Sequence, residues 1–532
     1  MPKVAVFLLT LCLLGATPGS ATKLRLQPTR IDLPGPPVAM VASDLDGDGW
    51  QDLAILVAST RWDRIGISES VELDEVDGLV EVMTVVPALL DQRALWIFRG
   101  APTGRYEAAA EPLDLPPEVL TLAAGPDATP LLALTDEGVS EITIEGDAIV
   151  LTAVIAEPPV IAGTGAFLPD LELLWDLDGN SQKDLILPTA AGFAIYLADD
   201  QGQLPPQPSQ RAPLPAWDRD HEALLQHHFP LPKVEDLTGD GAPDLLLLAP
   251  EKPWKRLFVL PNRGDGTFAA ALGPFESTGE EKATVFFGDI DGDGRAEYIT
   301  EENLAEEDAG MRQEMRDAKR PPILVRLHRS NDGLARRPQP YLELAAEGYA
   351  FGNDDDFPLP GGFQDIDGDG RRDLITLTID FSMLQVVRIL ATKSLSVGMD
   401  FHLWCQRENG SFERVEGLDL SGKFRLDLND LRLGRLSQFA GDFDGDGRAD
   451  FVQMGRGRNV SIHLGQDGCR YPTRPDLTLR LAEAPKNLRL VRILDLDGDQ
   501  RSDLAVMHPG KAAEAGVTPP IRLDLYLSRG QR

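Results

Sequence analysis

The sequence predicts an all-β fold: four-stranded units, eight of them, closed into a ring as a β-propeller. Three observations predict it. A nine-residue acidic loop recurs seven times, short apolar runs flank each copy, and a turn-forming hairpin follows most of them.

The loop has the pattern D-x-D-G-D-G-x-x-D and starts at Asp44, Asp176, Asp236, Asp289, Asp365, Asp442 and Asp495. Carboxylates this close repel. Two of them about 4 Å apart cost on the order of 4 kcal/mol at an effective dielectric near 20. A cation removes that cost. Oxygen ligands at positions 1, 3, 5 and 9, a backbone carbonyl at 7 and a glycine at 6 form the first part of an EF-hand calcium loop. The flanks differ from an EF-hand, however. "LAILVA", "LLLLA" and "LITLTI" follow the loops, and runs such as "ATVFFG" and "LVRIL" precede them. These short runs, rich in β-branched and aromatic residues and bounded by Asp and Gly, read as strands, so the acidic loop joins two strands. Downstream, "LFVLPNRGDGTF", "FHLWCQRENGSF" and "VSIHLGQDGCRY" each give a strand, a turn with a D-G or N-G type pair, and a further strand.

Loop-to-loop spacings are 132, 60, 53, 76, 77 and 53 residues. The first is about twice the rest, which points to a hidden unit. Residues 119–147 supply it: they keep the strand and turn signals and have lost the carboxylates of the acidic loop, with only Asp127 left there. That makes eight units, seven with acidic loops; seven blades is the alternative count. The C-terminal "IRLDLYLSRGQR" lacks a fourth strand, and residues 24–33 near the N-terminus supply one, closing the ring and pairing an edge that would otherwise be exposed.

The loops "GDIDGDGRAE" and "GDFDGDGRAD", followed by "NRGDGTF"-type hairpins, resemble the FG-GAP/VCBS repeats of calcium-binding propellers. The propeller of the integrin α subunit is similar. The resemblance implies calcium binding and extends over nearly all of residues 22–532. It does not imply one function, because such propellers host many.

The expected metal ligands follow from the register. Five loops have four acidic ligands each: Asp44, Asp46, Asp48, Asp52; Asp289, Asp291, Asp293, Glu297; Asp365, Asp367, Asp369, Asp373; Asp442, Asp444, Asp446, Asp450; and Asp495, Asp497, Asp499, Asp503. The last has Gln500 where glycine belongs. Two loops are weaker: Asp176, Asp178, Asn180, Asp184 has an amide and Ser181 at the glycine, and Asp236, Thr238, Asp240, Asp244 has lost a charge. The expected cofactor is therefore Ca²⁺ at five to seven structural sites.

Residues 1–21 read as a secretory signal: Lys3, an apolar core from Val4 to Leu14, and small residues before a cut after Ala21. Cys12 follows Leu11 rather than a small residue, which argues against lipidation. No later run is long and apolar enough to span a bilayer. The expected product is a monomeric propeller, residues 22–532, secreted, periplasmic or on the cell surface. The chain has 51 basic and 85 acidic residues, net −34. Such a balance disfavours nucleic acid, which needs basic surface. Cys405 and Cys469 lie in neighbouring units, and the sequence leaves their pairing open.

Three further features invite functional readings. Arg263-Gly264-Asp265 falls in a hairpin where other units carry "SNDG" or "RENG", so a turn explains it. His221-Glu222 begins an H-E-x-x-H zinc motif, but position 225 is Leu. Residues 304–322 are charged and helix-prone. In up-and-down blades the acidic loops share one face, and the longest connections, about 60–93, 212–229, 303–320, 346–358, 382–398 and 508–520, share the other. Trp62, Trp217, His221, His227, Tyr349 and Phe351 are thereby candidate residues for a protein or glycan ligand. The leading reading is a binding or adhesion module. Its rivals are a polysaccharide lyase and a purely structural surface component.

Overall fold

In the computed structural model, residues 24–529 are described except for 60–91, 124–130, 160–171, 214–231, 250–255, 276–282, 306–315, 331–333, 351–361, 381–393, 417–420, 428–438, 455–457, 484–490, 510–519 and a few single or paired positions. They form eight antiparallel sheets arranged as the blades of a β-propeller. Blade 1 begins at Pro37–Ser43 and blade 2 at Val119–Ala123; blades 3 to 6 begin at Leu174–Trp175, Lys233–Glu235, Ala283–Gly288 and Gly362–Gln364. Blade 7 has three strands among the described residues, with an isolated bridge between Phe439 and Phe451 at the place of its first. Blade 8 begins at Val491–Leu494.

The hidden unit is blade 2, with strands Val119–Ala123, Leu131–Thr135, Val139–Glu145 and Ala148–Ile155. The ring closes as expected. Arg25–Leu33 pairs antiparallel with Ile521–Arg529 over nine residues, Arg25 opposite Arg529 and Leu33 opposite Ile521.

Burial explains the sequence pattern. Each second strand lies in the middle of its sheet and is covered on both faces by neighbouring blades. Asp52–Ser59 and Asp184–Thr189 are therefore buried almost throughout and do not alternate. The fourth strands Leu342–Glu347 and Leu477–Arg480 lie at the sheet edge and alternate exposed with half-buried or buried positions. The core lies in the seams. Between blades 3 and 4, Leu177, Ile186, Phe193 and Ile195 pack against Leu245, Leu247, Phe258, Leu260 and Phe268. Between blades 6 and 7, Ile366, Ile375, Leu377, Phe401 and Leu403 meet Phe439, Phe451 and Tyr471. A fully buried Leu, Ile or Phe contributes about 1.5–3 kcal/mol.

Cys405, on the third strand of blade 6, and Cys469, in the blade 7 hairpin, form a disulfide with Cα atoms 5.9 Å apart. The pairing left open by the sequence thus joins two blades. A second long-range tie skips a blade: Arg372, in the blade 6 loop, pairs with Glu235 on the first strand of blade 4. Burial opposes the charge of Glu235, but Lys233 and Arg372 outweigh it and hold its pKa below the usual range. The third strand of blade 6, Ser394–Gln406, runs for 13 residues and pairs also with an extra strand, Ser421–Asp427. The end of the 382–398 connection is therefore strand. Of the helix-prone 304–322 segment, the described part includes one helical bond, Arg320 N–H to the Arg316 carbonyl.

Candidate metal centres

The seven acidic loops share one hydrogen-bonding plan. The carboxylate at position 1 folds the loop around itself: in blade 1, Asp44 accepts from the N–H groups of Gly47, Asp48 and Gly49. Asp176, Asp236, Asp289, Asp365, Asp442 and Asp495 accept from positions 4 and 6 in the same way. The side chain at position 5 accepts from the N–H at position 7, from Asp48 with Trp50 to Asp499 with Arg501. At position 6 the backbone is left-handed in every loop. Gly49, Gly241, Gly294, Gly370 and Gly447 adopt φ of 82–86° there, and Ser181 and Gln500 are forced to 67° and 64°.

The ninth carboxylate has a role that the register alone does not show. Asp52, Asp184, Asp244, Glu297, Asp373, Asp450 and Asp503 are 0–1% exposed. One oxygen accepts from the N–H at position 2: Leu45 to Asp52, Phe443 to Asp450, Leu496 to Asp503. In six blades the other oxygen accepts an N–H from the end of the third strand, at Gly100, Ala198, Asn262, Gln406, Gly465 and Ser528. This side chain clasps the loop to the sheet besides facing the ligand cluster. Burial pushes its pKa up, to about 6 in Asp52 and Asp184, about 7 in Glu297, Asp373 and Asp450, and about 8 in Asp503. The backbone donors oppose that rise, and the other loop carboxylates add to it.

The ligand atoms converge. Asp176, Asp178 and Asp184, Asp289, Asp291 and Glu297, and Asp365, Asp367 and Asp373 each place three oxygens within 4.8 Å of one another; in blade 1 the set is Asp44, Asp46 and Asp48. The third position tests the fit of a cation. One buried oxygen of Asp367, of Asp444 and of Asp497 has no hydrogen-bond partner, and Thr238 Oγ1 in blade 4 is in the same state. A buried oxygen without a donor costs about 1–3 kcal/mol. An oxygen-seeking divalent ion would satisfy it, with positions 1, 5 and 9 and the position 7 carbonyl around it. The residues thus fit calcium in blades 6, 7 and 8.

The loops are also linked to one another. The N–H of Ala296 in blade 5 donates to the Leu237 carbonyl of blade 4, Arg372 of blade 6 to Ile290 of blade 5, and Ala449 of blade 7 to Ile366 of blade 6. Asn262 Nδ2 and the Tyr106 hydroxyl complete the same link to Leu177 and Leu496. The apolar side chain at position 2 is buried beneath the next loop in Leu177, Leu237, Ile290, Ile366, Phe443 and Leu496. Leu45 is only half-buried, because blade 2, its neighbour, has no acidic loop. Glycine at position 4 answers the same contact: a Cβ on Gly292 would lie 2.6 Å from the Gly370 carbonyl oxygen, and one on Gly368 2.5 Å from that of Gly447.

Of the opposite-face candidates, Tyr349 is described. It is half-buried at the seam of blades 5 and 6, and its backbone exchanges hydrogen bonds of 2.8 and 3.0 Å with Leu377. Trp62, Trp217, His221, His227 and Phe351 lie outside the described residues, as does the signal segment 1–21. Arg263-Gly264-Asp265 forms an exposed hairpin turn, in which Arg263 N–H donates to the Thr267 carbonyl and Asp265 accepts from Thr267. No helix among the described residues is long and apolar enough to cross a membrane.

An FG-GAP-like repeat family model matches residues 236–300, from the blade 4 loop to the second strand of blade 5. No curated protein matches the chain in sequence. Among solved structures it is similar to the V. cholerae biofilm matrix protein Bap1, at 12% identity and TM-score 0.27 over 92% of this chain and 77% of that one. It is also similar to the exotype rhamnogalacturonan lyase YesX, at 12% identity and TM-score 0.28 over 96% and 74%. A putative 6-phosphogluconolactonase from Bacteroides uniformis aligns at 10% identity and TM-score 0.30 over 81% and 98%. Residues 236–300 thus match an FG-GAP-like repeat, and the chain has the fold of an eight-bladed β-propeller.

Proposed function

We propose that this protein is a calcium-stabilised binding propeller, in which the ions hold one face rigid while the opposite face takes a protein or glycan ligand. One observation carries the metal part: the loops share one geometry, and one third-position oxygen is left buried without a partner in each of blades 6, 7 and 8. The interblade hydrogen bonds support a structural role for the ions, since each ordered loop braces the next. The Cys405–Cys469 disulfide supports export to an oxidising, calcium-rich compartment.

The test has two parts. Isothermal titration of the chelated protein with calcium and magnesium should show calcium binding at several sites. Extracellular modules of this type bind at about 0.1–1 mM. At about 1 mM calcium each site then adds roughly 0.4–1.4 kcal/mol. An unfolding curve that EDTA leaves unchanged overturns the metal reading. A glycan array probed with and without calcium tests the binding reading. Depolymerisation of a uronate polymer, with the absorbance of an unsaturated product, would replace it with a lyase.

A further inference from the structure

The blade 5 loop, Asp289 to Glu297, has a complete set of acidic ligands in sequence, yet it differs from its neighbours in structure. Arg329, just past the third strand of that blade, reaches into it. Its guanidinium pairs with Asp291 at position 3, with Asp293 at 3.0 Å (position 5), and with Glu297 at 2.7 Å (position 9). These are three of the four side chains expected to hold the ion. The Tyr341 ring, 4.5 Å from the guanidinium carbon, covers another side of the group. Tyr341 is itself anchored by its N–H to the Leu327 carbonyl.

Two details separate this loop from those of blades 6, 7 and 8. The ninth residue is glutamate, and the extra methylene lets one oxygen keep the clasp to the Ile290 N–H while the other meets Arg329. In the six aspartate loops that second oxygen is taken by a third-strand N–H. Further, one third-position oxygen of Asp367, of Asp444 and of Asp497 is buried without a partner, whereas no oxygen of Asp291 is in that state. Other arginines approach their loops differently. Arg99 pairs with Asp46, and Arg529 pairs with Asp497 and, at 3.6 Å, with Asp499. In those two blades the second oxygen of the ninth carboxylate is held by backbone, through the N–H groups of Gly100 and Ser528.

We propose that Arg329 is the resident cation of the blade 5 loop and stands where a divalent ion would stand in blades 6, 7 and 8, so that this blade is held without metal. The planar guanidinium suits this position, because its five N–H groups lie in a fixed fork and match several carboxylates at once. The residues of blade 5 therefore do not fit calcium as those of blades 6, 7 and 8 do. This inference rests on the metal reading only for the comparison with those blades.

The experiment is a calcium titration of the chelated full-length chain by calorimetry, alongside urea unfolding in EDTA. D289N removes a position 1 ligand that Arg329 does not touch, and D365N removes its blade 6 counterpart. D289N should leave the stoichiometry unchanged and D365N should lower it by one. R329Q should raise it by one. In EDTA, R329Q should unfold at lower urea than the parent, and adding D291N, which removes a charge that Arg329 balances, should recover part of the loss. A drop of one site in D289N, or an unchanged stoichiometry in a folded R329Q, overturns the proposal. Should the parent bind no calcium at all, the metal reading of the other loops fails. The urea arm then decides alone: a lower midpoint for R329Q with recovery by D291N upholds Arg329 as the loop's cation, and an unchanged midpoint removes it.

Discussion

Gly292→Ala and Gly47→Ala are the same change at the same loop position with the same backbone, φ +74° in both. They differ in what surrounds them. A Cβ on Gly47 meets nothing within 4 Å, and blade 2 beside it has no acidic loop. A Cβ on Gly292 would lie 2.6 Å from the Gly370 carbonyl oxygen of blade 6 and 3.3 Å from its carbon. Left-handed strain costs an L residue roughly 1–2 kcal/mol. The loss of glycine's freedom in the unfolded chain returns about 0.4–1 kcal/mol. Gly47→Ala should therefore cost about 0.5–1 kcal/mol. Gly292→Ala carries the same terms and must also push two loops apart. That adds roughly 1–3 kcal/mol of overpacking and about 0.5–1.5 kcal/mol if the bond from Arg372 N–H to the Ile290 carbonyl is lost. Its expected cost is about 2–5 kcal/mol. Equilibrium urea unfolding followed by circular dichroism, in calcium and in EDTA, measures both. Gly368→Ala, whose Cβ would meet the Gly447 oxygen at 2.5 Å, serves as a replicate. Equal losses for Gly47→Ala and Gly292→Ala would refute the claim that each loop braces the next.

Gln500→Gly should stabilise the protein by about 0.5–1 kcal/mol, because φ of 64° strains glutamine and not glycine; a lower urea midpoint would contradict this. Breaking the Cys405–Cys469 disulfide, 64 residues apart, should cost up to about 4 kcal/mol by loop-closure entropy, seen as a lower midpoint for Cys405→Ser with Cys469→Ser. In EDTA, stability should fall as pH rises. Carboxyls whose folded pKa is raised to about 6–8 favour the folded state below their ordinary range and lose that contribution as pH climbs through the raised values. Each contributes a slope of up to about 1.4 kcal/mol per pH unit. Calcium binding at pH 6.5 should accordingly release protons, and heats independent of the buffer's ionisation enthalpy would show that it does not.

Much of the architecture was legible because the repeat is written in residue types that have few other uses. Alternate aspartates, glycines at left-handed positions and flanking apolar runs locate the strands, the loops and their register. The missing loop of blade 2 was legible as a gap in spacing, and ring closure as an unpaired final edge. The double role of the ninth carboxylate was not legible, since an aspartate that clasps backbone and one that faces a metal look the same in a sequence. Arg329 left only a faint signal, a basic residue just past a third strand beside a loop with glutamate at its end.

The sequence by itself determined the all-β class, the count of eight units, the loop register and the strand that closes the ring. All of these depend on short-range pattern and turn chemistry. Only the tertiary structure decided which elements from distant parts of the chain meet. It joined Cys405 to Cys469, set Arg372 against Glu235 across an intervening blade, and buried the second residue of six loops beneath the next one while leaving Leu45 half-covered. It also placed Arg329, rather than open space, among the carboxylates of blade 5. The physical reason is that each of these contacts depends on how one blade is rotated against another. That angle follows from packing of the buried seams, which no local run of residues encodes.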